Sequence, residues 1–160
     1  MLNKKIDEAS FRKAMSTFAT GVTIMTCRGE DGRAVGMTVN SFTSVSLEPP
    51  LVLWCINQSI VPTAAFNATS HFAVHVLHRG QESLSNHFAV DREDKFDGIE
   101  HSNGVADLPI LADFLSVYQC KISNRVMAGD HAVLIGELVD YEIRDREPLI
   151  FYGSSYRSLA

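Results

Sequence analysis

The chain has 160 residues, 46% hydrophobic and 21% charged, which fits one domain that buries a core without metal or disulfide staples. Fourteen basic against nineteen acidic residues give a formal net charge of −5, so no basic surface is available to neutralise a run of phosphates, and nucleic acid is not an expected partner. The longest apolar stretch, Leu51 to Ile56, falls far short of the ~20 residues that span a bilayer, and no membrane association is expected.

The polar segment Met1 to Ala9 lacks the apolar centre of a signal peptide, which predicts a cytoplasmic protein. From Asp7, the spacing of Phe11, Met15 and Phe18 predicts a short amphipathic helix with Asp7 as N-cap and Gly21 as stop. VTIMTCR and AVGMTVN flank Glu30-Asp31-Gly32-Arg33, whose Asp-Gly signal predicts a β-hairpin. SFTSVSLEPP, closed by Pro49-Pro50, predicts a shaped loop. LVLWCIN reads as a strand buried on both faces, and Ser59 with Pro62 as the start of a short helix through Phe66.

HFAVHVL predicts a strand, and Leu84 with Phe88 predicts a helix. Residues 91–104 are charged, contain glycine and show no period, which predicts an exposed excursion. Residues 114–143 hold two long β-patterned runs joined around Ala128-Gly129-Asp130, and PLIFYG adds a last short strand. Many strands with few helices and no regular alternation predict a mainly β, antiparallel barrel with peripheral helices, one domain over residues 1–160.

No GxGxxG or GxxxxGK[ST] is present, so neither a Rossmann site nor a P-loop is supported. On a strand His71 and His75 would share a face ~13 Å apart, too far for one metal, and His71, His75 and His78 read as partly exposed strand histidines. Cys27, Cys55 and Cys120 are odd in number and set among β-type apolar residues, which predicts reduced core thiols. The densest hydrogen-bonding segment is GMTVNSFTSVSLEPP, residues 36–50, where a strand delivers Thr38, Asn40, Ser41, Thr43 and Ser44. From composition alone, a ligand site and a bland loop of turn formers both remain open there.

Four blocks, ATGVTIMT at 19–26, GMTVNSFTSVSLEPPLVL at 36–53, GDHAVLIGELVD at 129–140 and PLIFYGSSYR at 148–157, resemble in order and spacing the short-chain flavin reductases that serve two-component aromatic monooxygenases. The resemblance implies an FMN-binding split β-barrel, antiparallel and Greek-key-like. It also implies a homodimer that uses NADH, with NADPH left open, to reduce FMN or FAD and pass diffusible reduced flavin to a separate oxygenase.

By the same resemblance, Thr38, Val39, Asn40 and Ser41 lie along the flavin ring, with Ser44 close by. Ser59 matches a position near the flavin phosphate, with Cys55, Ile56 and Asn57 lining the approach, although Ser59 reads equally as a plain helix N-cap. Ser85, Asn86 and Phe88 resemble a further stretch bordering the flavin. His131 matches a position bordering the face where nicotinamide stacks, and Tyr156 with Arg157 a segment that closes the site from above. Trp54 and the apolar pair Ile60-Val61 depart from the family pattern, which leaves the choice between FMN and FAD open.

Hydride transfer between two cofactors needs no protein acid, base or nucleophile, so the sequence offers none. Three other readings remain at this point. One is a barrel that retains its flavin and reduces a ferric chelate or corrinoid; another is a non-catalytic flavin- or haem-binding barrel; the third is a structural dimerising β-domain.

Overall fold

A computed structural model describes residues 6–159; residues 1–5 and 160, and with them part of the polar amino terminus and both ends of the expected 1–160 domain, lie outside the described residues. Helix α1 spans Glu8–Met15, and the Oδ1 of its N-cap Asp7 accepts a hydrogen bond from the Ser10 backbone at 2.9 Å. It ends well before Gly21, because Thr17 and Phe18 bond back three residues in a tightened final turn. None of its residues is buried, and Phe11 and Met15 stand exposed.

Strands β1 (Thr20–Gly21), β2 (Thr23–Arg28) and β3 (Ala34–Val39) follow, with β2 and β3 forming the expected hairpin. Gly32 takes φ +78° in its turn, a conformation that Gly adopts without a Cβ penalty, and Asp31 Oδ1 accepts from the Arg33 backbone. Residues 41–50 are not a loop throughout. Strand β4 (Thr43–Leu47) pairs with β5 (Pro50–Asn57); Glu48 and Pro49 make the turn between them, and Pro50 is the first residue of β5, opposite Leu47, a strand position that tolerates a missing N–H.

Helix α2 (Thr63–Ala68), β6 (His71–Val76), α3 (Glu82–Ala89), β7 (His101–Asn103), β8 (Pro109–Leu111), β9 (Ser116–Ala128), β10 (His131–Ile143), β11 (Ile150–Tyr152) and β12 (Ser155–Arg157) complete the chain. A seven-stranded antiparallel sheet runs in the order β3-β2-β6-β9-β10-β5-β4. Its edge strands are joined by residues 40–42, and there the Ser41 hydroxyl accepts from the Cys55 N–H at 3.1 Å and donates to the Cys55 carbonyl at 3.0 Å. This side chain bridges the gap where the sheet curls back on itself.

Inside the curl, Trp54 meets Phe66 edge-on at 4.9 Å and Phe72 at 6.0 Å, with Met25, Cys27, Cys120 and Leu134 around them. A second cluster of Val22, Ile24, Leu77, Phe88 and Leu149 lies on the other side of β2. Strand β2 is therefore buried on both faces, and so is β6, whose Phe72, Ala73, Val74 and His75 are all fully buried. The expectation for LVLWCIN is corrected: β5 buries Trp54 and Ile56 but leaves Leu51, Val52, Leu53 and Cys55 half-buried.

Three further expectations change. His75 is fully buried, not partly exposed, and uses both ring nitrogens: Nδ1 meets the Ile24 carbonyl at 3.2 Å and Nε2 accepts from the Leu111 N–H at 3.1 Å. Segment 91–104 is not wholly exposed, because Lys95 is buried with its ammonium donating to the Phe88 carbonyl at 3.1 Å near the end of α3. The cysteines are free thiols, but Cys55 is only half-buried. Burial pushes Cys27 and Cys120 up to about 12. No helix among the described residues is long and apolar enough to cross a membrane, and none of their His, Cys, Asp and Glu side chains group in threes fit to hold a metal.

Candidate functional site

Alternation along β3 puts Ala34, Gly36 and Thr38 on the face away from the Trp54 core, with Val35, Met37 and Val39 facing it. Helix α3 packs over that outer face. Gly36 permits the close approach, since a Cβ there would stand 2.7 Å from a Phe88 ring carbon. The contact lets the Thr38 hydroxyl donate to the Ser85 carbonyl at 2.7 Å.

Above this junction, Tyr156 Oη donates to Asn86 Oδ1 at 3.0 Å and lies 2.8 Å from Ser85 Oγ. Because the phenolic proton is committed to Asn86, the Ser85 hydroxyl is the donor to Tyr156. Phe151 braces the Tyr156 ring edge-on at 5.5 Å. Thr38, Val39, Asn40, Ser85 and Tyr156, with Val22, Ala89 and Phe151, line a cavity of about 180 Å³. Its hydrogen-bonding groups are all uncharged.

From Asn40 the band of polar groups continues through Ser41 to Cys55, and from Cys55 along β5 to Asn57. Asn57 Oδ1 accepts from both the backbone N–H and the hydroxyl of Ser59, at 2.8 and 2.7 Å. Ser59 is therefore not the N-cap of α2, which begins four residues later at Thr63 after Pro62. His131 is the register partner of Asn57 across β10 and β5, and its Nδ1 lies 2.8 Å from Asp130 Oδ1. The imidazole contact holds the exposed Asp130 carboxyl below its usual range.

The structure thus gathers Thr38, Val39, Asn40, Ser41, Cys55, Asn57, Ser59, Ser85, Asn86, Tyr156 and His131 along one arc of contacts. Others stand apart. Ile56 and Phe88 are fully buried and turn into the two cores, so neither presents its side chain to the arc. Ser44 is exposed on the edge strand opposite Val52, and Arg157 is exposed opposite Ile150. Tyr156 sits with Ser85 and His131 with Asn57; among the described residues no hydrogen bond or ring contact joins His131 to Tyr156, so the nicotinamide-side residues are divided within one chain. Sequence reasoning missed Val22, Ala89 and Phe151 as cavity walls. Val22 and Phe151 carried a signal, through their places in the ATGVTIMT and PLIFYG blocks, and Ala89 carried none.

A sequence profile described as the flavin reductase like domain matches residues 15–160. The chain belongs to the flavin reductase family. It is 40% identical over 147 residues to an FMN reductase (NADH) of Agrobacterium fabrum, covering 92% of this chain and 83% of the relative. It is 37% identical to an NADH-dependent FAD reductase of Streptomyces globisporus, covering 96% and 87%. Against a probable flavin reductase of Rhizobium meliloti, also 37% identical, the chain spans 46% of the relative's length.

The Streptomyces globisporus C-1027 NADH:FAD oxidoreductase, solved in complex with NAD and FAD fragments, superposes with a TM-score of 0.90 at 37% identity, covering 96% of this chain and 93% of that one. The flavin reductase PheA2 in its native state gives 0.88 at 38% identity, covering 97% and 99%. Antiparallel strand order and these neighbours make the fold the flavin reductase split barrel.

Proposed function

We propose that the protein is an NADH:flavin oxidoreductase that reduces FMN or FAD and releases reduced flavin to a separate oxygenase component. The observation that carries this is the uncharged cradle of Thr38, Asn40, Ser85 and Tyr156 in a chain of this family. Hydroxyl and amide groups around a half-open cavity suit a flat heteroaromatic ring whose edge carries both donors and acceptors. The relatives' names support the activity, and a reductase subunit of a flavin-dependent monooxygenase in Rhodococcus jostii, 37% identical, supports the oxygenase partner.

When bound, the two cofactors supply the chemistry, hydride passing from C4 of the dihydronicotinamide to N5 of the flavin. The chain's residues bind, orient and exclude water. Thr38 to Ser41 present the ring site at the end of β3. Tyr156 holds its far wall through Ser85 and Asn86, so that the ring meets a fixed surface and not a mobile side chain. Asn57 and Ser59 take the phosphate end, and His131 beside Asn57 positions the nicotinamide.

The same reading makes the chain a single flavin reductase-like domain over residues 1–160, working in the cytoplasm as a homodimer. The outer halves of β9 and β10 and the edge strand β4 support the dimer, since Leu47, Met127, Tyr141 and Ile143 stand 93, 64, 61 and 67% exposed. Sedimentation equilibrium at twice the chain mass is expected; a monomer over a wide concentration range excludes it. The activity itself is tested by steady-state NADH oxidation with FMN, FAD and riboflavin compared side by side. Turnover above background with at least one flavin is expected, and background rates with all three at micromolar enzyme defeat the reading.

A further inference from the structure

Residues 77–81, between β6 and α3, hold both halves of the contact that joins Tyr156 to Ser85 and Asn86. On one side they lead directly into α3, which carries Ser85 and Asn86. On the other they bond to the segment that enters β11. The Arg79 N–H donates to the Glu147 carbonyl at 2.8 Å, the Leu149 N–H donates to the Leu77 carbonyl at 3.0 Å, and His78 bridges Pro148 between them. Strand β11 turns at once into β12, which carries Tyr156. Helix and hairpin therefore leave one joint and meet again at the phenol.

His78 sits at the centre of that joint with both ring nitrogens engaged. Nδ1 accepts from the Gly80 N–H at 3.1 Å, so it carries no proton. The ring proton is on Nε2 and is donated to Asp113 Oδ2 at 2.8 Å, in the loop between β8 and β9. The imidazole contact holds the Asp113 carboxyl below its ordinary range. Asp113 is itself fixed, since its Oδ1 accepts from the Phe114 N–H at 3.0 Å and from Arg144 at 3.3 Å, and the Arg144 guanidinium lies 3.7 Å over the Phe114 ring.

A second tie runs beside the first. Gln81 Oε1 accepts from the His78 N–H at 3.0 Å, while Gln81 Nε2 donates to the Asp113 carbonyl at 2.9 Å. Gly80 leaves room for the ring, because a Cβ there would stand 3.1 Å from its Cε1. A planar ring with its donor and acceptor at fixed positions sets the distance between the start of the helix and the β8–β9 loop, where a flexible side chain would lose rotamer freedom to do so. His78 does not line the flavin cavity.

We propose that His78 is a positioning residue that sets the spacing of the Tyr156 contact and, resting on the cradle argued above, through it the affinity for flavin. Its ring, pinned between Gly80 and Asp113, holds the joint so that Ser85 and Asn86 arrive opposite the Tyr156 hydroxyl.

Hydrogen exchange of the ligand-free protein reads the joint directly. His78→Ala should speed exchange about 5-fold in α3 and equally in β11 and β12. His78→Asn keeps an acceptor for the Gly80 N–H but is too short to reach Asp113, and should speed both about 2-fold; it carries the test if His78→Ala does not fold. Faster exchange in α3 alone would mean a lost helix cap and nothing more, and overturns the proposal, as does wild-type exchange in His78→Asn. A double-mutant cycle on flavin affinity reads the consequence, using FMN or FAD, whichever binds more tightly. His78→Ala should weaken binding about 3- to 10-fold, and adding it to Tyr156→Phe should cost at most a further ~2-fold. Full additivity places its effect outside the Tyr156 contact and overturns the proposal. If Tyr156→Phe leaves flavin affinity unchanged while His78→Ala still loosens both segments, the spacing role of His78 stands and the placement of the flavin cradle falls.

Discussion

Tyr156 Oη lies 2.8 Å from Ser85 Oγ and donates to Asn86 Oδ1, so the last strand of the chain, β12, is fastened onto helix α3. Thr38 grips the same helix from below through the Ser85 carbonyl. The cradle is thus closed by two hydrogen-bonded contacts from segments far apart in sequence. Tyr156→Phe keeps the ring packed on Phe151 and removes only the hydroxyl. We expect flavin binding to weaken about 3- to 10-fold, the ~0.6 to 1.4 kcal/mol of an ordinary hydrogen bond, with kcat little changed. Unchanged flavin affinity by fluorescence titration would remove Tyr156 from the site.

His131 faces Asn57 across the β10–β5 ladder and is the proposed nicotinamide contact. Replacing His131→Ala should raise KM for NADH and lower kcat/KM about 10- to 100-fold, or ~1.4 to 2.7 kcal/mol of transition-state stabilisation, with flavin affinity changing much less. Weakened flavin binding with normal NADH kinetics would place His131 on the flavin instead.

Gly36 is required by packing, since a Cβ there would meet Phe88 at 2.7 Å and Phe96 at 3.1 Å. Gly36→Ala pushes α3 away from β3 and should cost about 1 to 3 kcal/mol of stability by urea unfolding. Because Ser85 rides on the same helix, flavin affinity should fall as well. Wild-type stability in this variant would contradict the packing argument.

His75 ties β2 to β8 as a neutral imidazole, its Nε2 accepting from an N–H that a protonated ring could not satisfy. Burial drives its pKa down from 6.5 to about 4. The unfolded chain therefore binds the proton first as pH falls. Stability is complete above pH ~6.5 and is lost progressively toward pH ~4, by on the order of 3 kcal/mol. Urea titrations at several pH values, compared with His75→Gln, should show a shallower acid decline in the variant. Parallel profiles would exclude His75 as the cause.

Local chemistry made much of the fold legible. Asp31-Gly32 announced the β2–β3 hairpin, Asp7 capped α1, and Leu84 with Phe88 marked α3. Strand β4 stays hidden because Pro49 and Pro50 read as breakers, whereas Pro49 sits in the turn and Pro50 only opens β5, so neither interrupts a strand. The burial of His75 depends on partners 51 and 36 residues away, and no period in HFAVHVL distinguishes a satisfied core histidine from a surface one. The site divided in the same way. Thr38 to Ser41 are contiguous and legible as a polar strand end, while Tyr156 and Ser85, 71 residues apart, are each named only through family resemblance and nothing in the sequence announces their contact. Ile56 and Phe88 enter the candidate site only through the resemblance, although strand and helix periodicity turn their side chains inward.

The most direct measurement is a structure of the protein with FMN or FAD bound. The account predicts the flavin ring seated between the Thr38 to Ser41 segment and Tyr156, its edge within hydrogen-bond distance of that segment. A ring bound elsewhere on the barrel, with no atom in hydrogen-bond reach of Thr38 to Ser41, would contradict it.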